Sequence, residues 1–277
     1  VDAVGFFVCA GCGLVVQDPP PSPELLLRAY PEDYHAYHEY SNALMTFMKT
    51  RYYRRRAREY GRLVGRPSAV AVDVGCGDGN FIAELRRLHP GWTVHGLDFN
   101  PEVVARATKR GLSVSYGTLE EMPAPHASLD LIIMNHMIEH AFEPLATLQR
   151  CADLLKPGGL VVGETPSVDC WDFDRFGEYW GGLHAPRHTM LFTPSTLRRA
   201  AERAGLDVVW VRHAVQPAHI ALSLQHWLQS RRRGRPRLHN GRAFYYPYLL
   251  LLLLPLAIAQ AVRGRSGVIN FGLRRPS

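Results

Sequence analysis

The sequence predicts a doubly wound α/β fold, a parallel seven-stranded sheet with helices on both faces. Three observations point to it: short apolar runs alternate with helix-period segments, a glycine-rich turn joins one of those runs to its helix, and a carboxylate ends the next run. Residues 41–64 carry Ala, Leu, Met and Arg at helical spacing without Pro and read as one or two helices. Residues 69–74 are an apolar run suited to a buried parallel strand, and 80–88 read as the helix that follows it. A strand at 93–97, a helix at 101–110 and strands at 112–116 and 129–134 come next. A helix over 144–155 is stopped by Lys156-Pro157-Gly158-Gly159, ahead of a strand at 160–164. Beyond an irregular, aromatic stretch at 166–192 lie a helix at 194–204 closed by Gly205, a strand at 207–213 and a last strand at 268–273.

A chain of 277 residues, 47% of them hydrophobic, can bury one substantial core and has length left for appendages. Its composition predicts a Cys-containing element at 1–23, ended by a Pro run, and a helical region at 24–66. A core at 67–216 follows, then a basic and apolar insertion at 217–266 and the final strand of the core sheet at 267–277. The net charge of +7 is unevenly spread: residues 208–277 hold eleven Arg and no Lys, Asp or Glu, which leaves −4 for residues 1–207. That asymmetry predicts an acidic partner for the last quarter, an anionic membrane surface or nucleic acid. Five irregularly spaced Cys do not make a disulfide framework in a chain this long, and the first residues lack a signal-peptide pattern. Both features predict cytoplasmic residence, and the start at Val reads as a fragment or a trimmed chain.

The main chemical signal is Val72-Asp73-Val74-Gly75-Cys76-Gly77-Asp78-Gly79-Asn80-Phe81, at a strand-to-helix turn. Gly75, Gly77 and Gly79 remove side chains, so backbone N–H groups and a helix N-terminus can approach a ligand. Asp98 ends the next strand, where a carboxylate can accept both hydroxyls of a ribose. A G-x-G-x-G turn alone could serve a dinucleotide. Here the loop lacks the third Gly at the pyrophosphate spacing and contains Asp78, which repels phosphate; Asp73 and Asp78 suit a ligand with a sulfonium and an amino group.

These residues, with Gly96-Leu97-Asp98-Phe99-Asn100-Pro101, the run from Leu129 to His140 and Leu155-Lys156-Pro157-Gly158-Gly159, resemble the class I S-adenosylmethionine-dependent methyltransferases, which have a Rossmann-like fold. The resemblance covers about 69–214. It implies that Gly75, Gly77 and Gly79, in the turn with Asp73 and Cys76, line the methionine part of S-adenosylmethionine. It further implies that Asp98 holds the ribose, that Phe99 packs beside the adenine, that Thr118 and Leu119 edge the ring, and that Asn135 sits at the methionine end. Many relatives carry Asp where this chain has Thr118, so the adenine contact falls to the backbone. The segment 180–197, with Pro186-Arg187-His188 and Phe192-Thr193-Pro194, resembles the branch of ubiquinone-type O-methyltransferases and tailoring methyltransferases.

Methyl transfer asks a protein to position two reactants and, for some acceptors, to remove a proton, for which His suits neutral pH. The candidates are His188 first, then His184 and His140, with the alternative that His184 and His188 only pin a lid. His136 to His140 also spells the H-x-x-E-H of inverted zinc peptidases, but it falls at a strand end and not within a long helix. Cys9-Ala10-Gly11-Cys12 is half of a zinc knuckle, so zinc ligation by Cys9 and Cys12 would need a second pair from upstream.

The predicted function is methylation of an O, N or C atom on a small-molecule, quinone-like, lipid-like or saccharide acceptor. The alternative is a nucleic-acid-binding protein or nucleic-acid methyltransferase using Arg231 to Arg237; no N/D-P-P-Y/F signature of base methylation supports it. Residues 244–262, nearly all apolar and interrupted by Pro247 and Pro255, predict a surface-lying helical hairpin at the inner face of a membrane, without crossing it. The alternative for that segment is an extra helical layer packed on the protein's own core or on a second subunit.

Overall fold

In the computed structural model, which describes residues 5–22, 25, 29, 43–231 and 245–277, the chain opens as a hairpin of β1 (Gly5–Val8) and β2 (Val15–Asp18). The helix α1 (Ala43–Val64) leads into β3 (Val70–Val74), α2 (Asn80–Leu88), β4 (Thr93–Asp98), α3 (Pro101–Lys109), β5 (Val114–Tyr116) and β6 (Leu129–Asn135). A 3₁₀ turn at Ile138–His140 precedes α4 (Pro144–Leu154) and β7 (Leu155–Pro166). Then follow α5 (Trp171–Phe176), β8 (Met190–Leu191), α6 (Pro194–Arg203), β9 (Asp207–His213), α7 (Pro217–Ser230), α8 (Tyr246–Val262) and β10 (Val268–Arg274). The main sheet has the order β5-β4-β3-β6-β7-β10-β9, parallel except for β10, which is antiparallel to both neighbours. This is the doubly wound seven-stranded architecture that the strand and helix alternation predicts.

Strand alternation divides the core between two helical layers. Ile132 and Met134 of β6 face Leu148, Cys151 and Leu154 of α4 and Leu197 of α6, while Leu131 and Ile133 face Phe81, Ile82 and Leu85 of α2 and Tyr60 of α1. All four β6 side chains are fully buried. Each stabilises the fold by about 1.5–3 kcal/mol through burial. Helix starts follow local chemistry: the Asn100 side chain accepts from the N–H groups of Glu102 and Val103, and Thr193 with Thr196 makes a capping box before Pro194.

Three expectations shift. Lys156-Pro157-Gly158-Gly159 lies inside β7 and not between helix and strand: Leu155 already pairs with Leu129, and the next pairing is Leu131 with Leu160. The intervening residues bulge outward and bond to the C-terminal tail, Gly158 N–H to Arg275 O at 3.0 Å and Arg275 N–H to Gly159 O at 2.9 Å. The strand expected at 112–116 begins at Val114 because the turn after α3 takes up Gly111 and Leu112, whose N–H groups bond back to Thr108 and Ala107. Residues 246–262 form one helix: Pro247 occupies its first turn, where a missing N–H costs nothing, and Pro255 lies within it without ending it.

The insertion leaves and rejoins the sheet between adjacent strands, β9 and β10, and α7 packs on α8. No helix among the described residues is long and apolar enough to cross a membrane. Arg232, Arg233, Arg235, Arg237 and Arg242 lie outside the described residues. At the other end of the chain β2 pairs with β8, which ties the Cys hairpin to the 166–192 segment.

Candidate active site

The carboxyl ends of β3, β4, β6 and β7 form one crest, the place where open α/β sheets bind ligands. The turn after β3 is held against β4 by the Gly75 and Cys76 N–H groups, both bonded to Leu97 O (2.8 and 3.0 Å). Gly75, Gly77 and Gly79 all have positive φ (73°, 55° and 76°). A Cβ on Gly79 would collide with Leu112, whereas one on Gly77 would meet nothing within 4 Å and would project into open space. The two glycines therefore serve different needs: Gly79 permits close packing and Gly77 leaves room above the turn.

Asp98 is buried, with Oδ2 accepting from Gly77 N–H and Oδ1 from Asn100 N–H, each at 2.9 Å. Burial raises its pKa against the pull of those N–H groups. Asp73, at the same crest, is also buried and receives no hydrogen bond from the described residues; burial, and then the Asp98 charge, push it up to about 8. A carboxylate so placed is costly without a cationic partner. Such a partner is what an amino group or a sulfonium would supply, so these residues fit S-adenosylmethionine.

The remaining residues on this side are placed as follows. Phe99 is 45% exposed at the crest. Thr118 engages Glu121 through both its N–H and its hydroxyl (3.2 and 3.4 Å), so its side chain is already committed. Leu119 and Cys76 point into the core, and burial pushes the Cys76 thiol pKa up so that it stays protonated. Asn135, at the end of β6, accepts from Tyr60 OH at 3.2 Å.

On the other side of the crest the structure gathers His136 and Glu139, a cluster readable after the fourth strand of the sequence, with Glu164, Tyr52 and Arg56, which sequence reasoning did not select. His136 lies between two carboxylates, its Nδ1 3.3 Å from Glu139 and its Nε2 3.3 Å from Glu164. Burial opposes its charge, but the two carboxylates outweigh burial and carry it up to about 10, so it stands as an imidazolium. Glu164 in turn drops to about 2, His136 and Arg56 overcoming its burial. From α1, Tyr52 OH donates to Glu164 at 2.5 Å, Arg56 lies 4.0 Å from the same carboxylate, and the Arg56 guanidinium covers the Tyr60 ring at 5.0 Å. Tyr52, Arg56 and Tyr60 recur every four residues, one helical face; that spacing was the available signal. His136 also has φ +53°, a conformation a bulky residue adopts at a cost of about 1–2 kcal/mol, so the fold holds it in place deliberately.

The three selected histidines come together beside this group, and of the three His188 is the buried one. The ring of His188 lies 4.8 Å from that of His140 and 5.1 Å from that of His184. His188 Nδ1 bonds Gly182 O at 2.8 Å and His140 Nδ1 bonds Arg187 O at 2.9 Å, which turns the Nε2 of His188 toward the fully buried Glu139, 4.0 Å away. Burial, followed by the charges of His140 and His184, holds His188 well below the usual histidine range. It stands as a neutral imidazole whose hydrogen bond stays within the 180–192 segment, and Thr189 next to it ties that segment to the turn after β6, its N–H bonded to Glu139 O at 3.0 Å. Glu139, His140 and His188 are the one group among the described residues whose potential ligand atoms lie within 4.8 Å of one another. His136 of H-x-x-E-H is not in that group, and Ile138–His140 is a single 3₁₀ turn, so the peptidase-like helical arrangement is absent. Cys9 and Cys12 occupy the β1–β2 turn, with backbone N–H groups of Cys12 and Gly11 lowering the Cys9 thiol pKa as in a knuckle. Among the described residues no third His, Cys, Asp or Glu joins them, so the zinc expectation finds no complete site here.

Comparison with known proteins agrees with this geometry. A family model described as a methyltransferase domain matches residues 45–211. A ubiquinone biosynthesis O-methyltransferase of Dinoroseobacter shibae is 34% identical over 171 residues, 55% of this chain and 67% of that protein. Related ubiquinone biosynthesis O-methyltransferases from Cereibacter sphaeroides share a segment spanning 60% of their own length. Among solved structures, geranyl diphosphate C-methyltransferase from Streptomyces coelicolor, crystallised with Mg²⁺, geranyl diphosphate and S-adenosyl-L-homocysteine, superposes with TM-score 0.57 at 14% identity, over 89% of this chain and 90% of that one. A SAM-dependent methyltransferase from Archaeoglobus fulgidus gives TM-score 0.55 at 17% identity, over 81% and 94% of the two chains. At these identities the structures speak for the fold.

Proposed function

This chain belongs to the class I S-adenosylmethionine-dependent methyltransferases, and from that premise we propose that it methylates a small, ring-bearing or lipid-like acceptor seated between α1 and the crest of the sheet. The observation that carries the reading is the paired environment of the crest. One side has a buried carboxylate, Asp73, that receives no hydrogen bond from the described residues and lies beside a glycine turn; the other has a wall of Tyr52, Arg56, His136 and Glu164. The cofactor, when bound, supplies a methyl carbon already activated by its sulfonium.

We assign cofactor positioning to Asp73, Asp98, Asn135, Phe99 and the backbones of Gly75, Cys76, Gly77, Gly79, Thr118 and Leu119. Asp98 would take the ribose hydroxyls on lone pairs left free by its two N–H donors, and Asp73 would face the cationic end. His188 is assigned as proton acceptor, its neutral state maintained by burial and its Nε2 4.0 Å from Glu139; His140 and His184 position it. The His136 imidazolium, both of whose N–H groups face carboxylates, contributes positive charge beside the acceptor space, and the Tyr52 hydroxyl oxygen, whose proton goes to Glu164, is left to accept from an acceptor hydroxyl. The ubiquinone biosynthesis relatives support an O-methyl reading for a quinone-like acceptor. The test is an untargeted mass-spectrometric search, with purified protein and labelled methyl donor, for a metabolite that gains one methyl group. An aromatic or isoprenoid alcohol gaining the label supports the reading; labelling confined to nucleic acid would replace it.

A further inference from the structure

The geometry points to α8 as a face that docks on an anionic lipid bilayer; we propose this as the surface from which the acceptor reaches the site. Between Tyr246 and Val262 there is no charged residue. Its inner stripe, Tyr246, Leu250, Ala257 and Gln260, is buried, and Tyr246 and Leu250 pack on Ala221 of α7 and Met45 of α1. The outer face is wholly apolar or aromatic: Tyr248 is 63% exposed, Leu252 76% and Val262 82%, with Leu251, Leu256 and Ile258 each near half. A soluble surface does not leave so continuous an aliphatic strip in water without a partner.

Three observations select the partner. The strip is rimmed by cations stacked on indoles, Arg231 over Trp227 at 4.2 Å and Arg263 over Trp171 at 5.6 Å, with Tyr245 and Tyr248 at its start. Aliphatic centre, aromatic ends and Arg rim match the layers of a lipid interface. From residue 208 onward the chain has no carboxylate to repel an anionic headgroup. Finally, α8 is anchored along its length, by the inner stripe and by the buried bond from Gln260 to Asp172 at 2.6 Å, while β9 and β10 on either side of the insertion are sheet neighbours. It therefore lies flat, presenting a helix side about 25 Å long. Met45, which touches α8, stands two turns of α1 before Tyr52, the residue bonded to Glu164, so the docked face and the site share one helix and lie about 10 Å apart along it.

The proposal rests on the methyltransferase reading only for what the site does; binding is measured without turnover, so each can fail separately. The test is flotation of the full chain with phosphatidylcholine vesicles, with and without a third phosphatidylglycerol. We expect the chain to float with the phosphatidylglycerol vesicles and to be released by 0.5 M salt. Leu252→Asp and, separately, Val262→Asp should each weaken partitioning at least tenfold with the melting temperature unchanged, and Arg263→Gln should weaken it only with anionic vesicles. No flotation of the unmodified chain at low salt, or flotation of both Asp variants equal to that of the unmodified chain, overturns the proposal. So does a dimer by light scattering that Leu252→Asp splits in a chain that ignores vesicles, an outcome that gives the face to a second copy.

Discussion

Replacing His136 by Gln tests the charge wall at the heart of the acceptor side. In the folded protein His136 sits at about 10 instead of 6.5, held there by Glu139 and Glu164. Fully counted, that displacement corresponds to about 5 kcal/mol of stability. The side chain is 37% exposed, so solvent screening reduces the expected cost of its removal to about 2 kcal/mol. Because its pKa is raised on folding, the contribution is complete below 6.5 and is lost as pH rises through about 10. The partner Glu164 is depressed, from 4.5 to about 2, so its own contribution is present above 4.5 and fades as pH falls through 2. The stability gap between the native chain and His136→Gln should therefore be widest between pH 4.5 and 6.5, about half as wide near pH 8, and close to zero at pH 10.5. Urea unfolding of both proteins at pH 5.5, 8 and 10.5 measures it. A gap that stays constant across this range, or is absent at pH 5.5, would refute the assignment of His136 as an imidazolium clamped by two carboxylates.

Two glycines of one turn should respond differently to the same change. Gly79→Ala forces a side chain into φ +76° and against Leu112, and should cost about 2–3 kcal/mol in denaturant unfolding. Gly77→Ala meets only the backbone strain, about 1 kcal/mol, yet should lower affinity for S-adenosylhomocysteine at least tenfold because its Cβ enters the ligand's space; equal stability losses for the two would contradict the separation of packing from binding. His188→Ala should reduce turnover of the identified acceptor at least tenfold with affinity for S-adenosylhomocysteine within about twofold, and undiminished turnover would leave His188 only a fastening for the segment over the site.

The alternating core and the glycine turn were legible in the sequence because they depend on local order. Period and punctuation placed α2 and β9 to the residue, and a carboxylate at the end of β4 was readable as the partner of the turn after β3. The acceptor side was not legible for an equally physical reason. Glu164 is the carboxylate near the end of a buried strand, and its partners Tyr52 and His136 lie 112 and 28 positions away; only folding brings α1 against β6 and β7. The insertion was half legible. Its composition marked an apolar segment between two sheet neighbours, but Pro255 was expected to interrupt the helix, and packing against α7 and α1 keeps it whole. The pairing of β2 with β8 had no sequence signature, because a two-residue strand carries no period.

Asp98 and its neighbours on the crest of β3 and β4 are the residues proposed to hold the methyl donor. Isothermal titration of S-adenosylmethionine into the full chain and into Asp98→Ala tests this most directly. The native chain should bind one equivalent, and the substitution should weaken binding by about 1–3 kcal/mol, the scale for losing a charged hydrogen-bond acceptor. Equal affinity in the two proteins, both still folded, would contradict the placement of the donor on this crest.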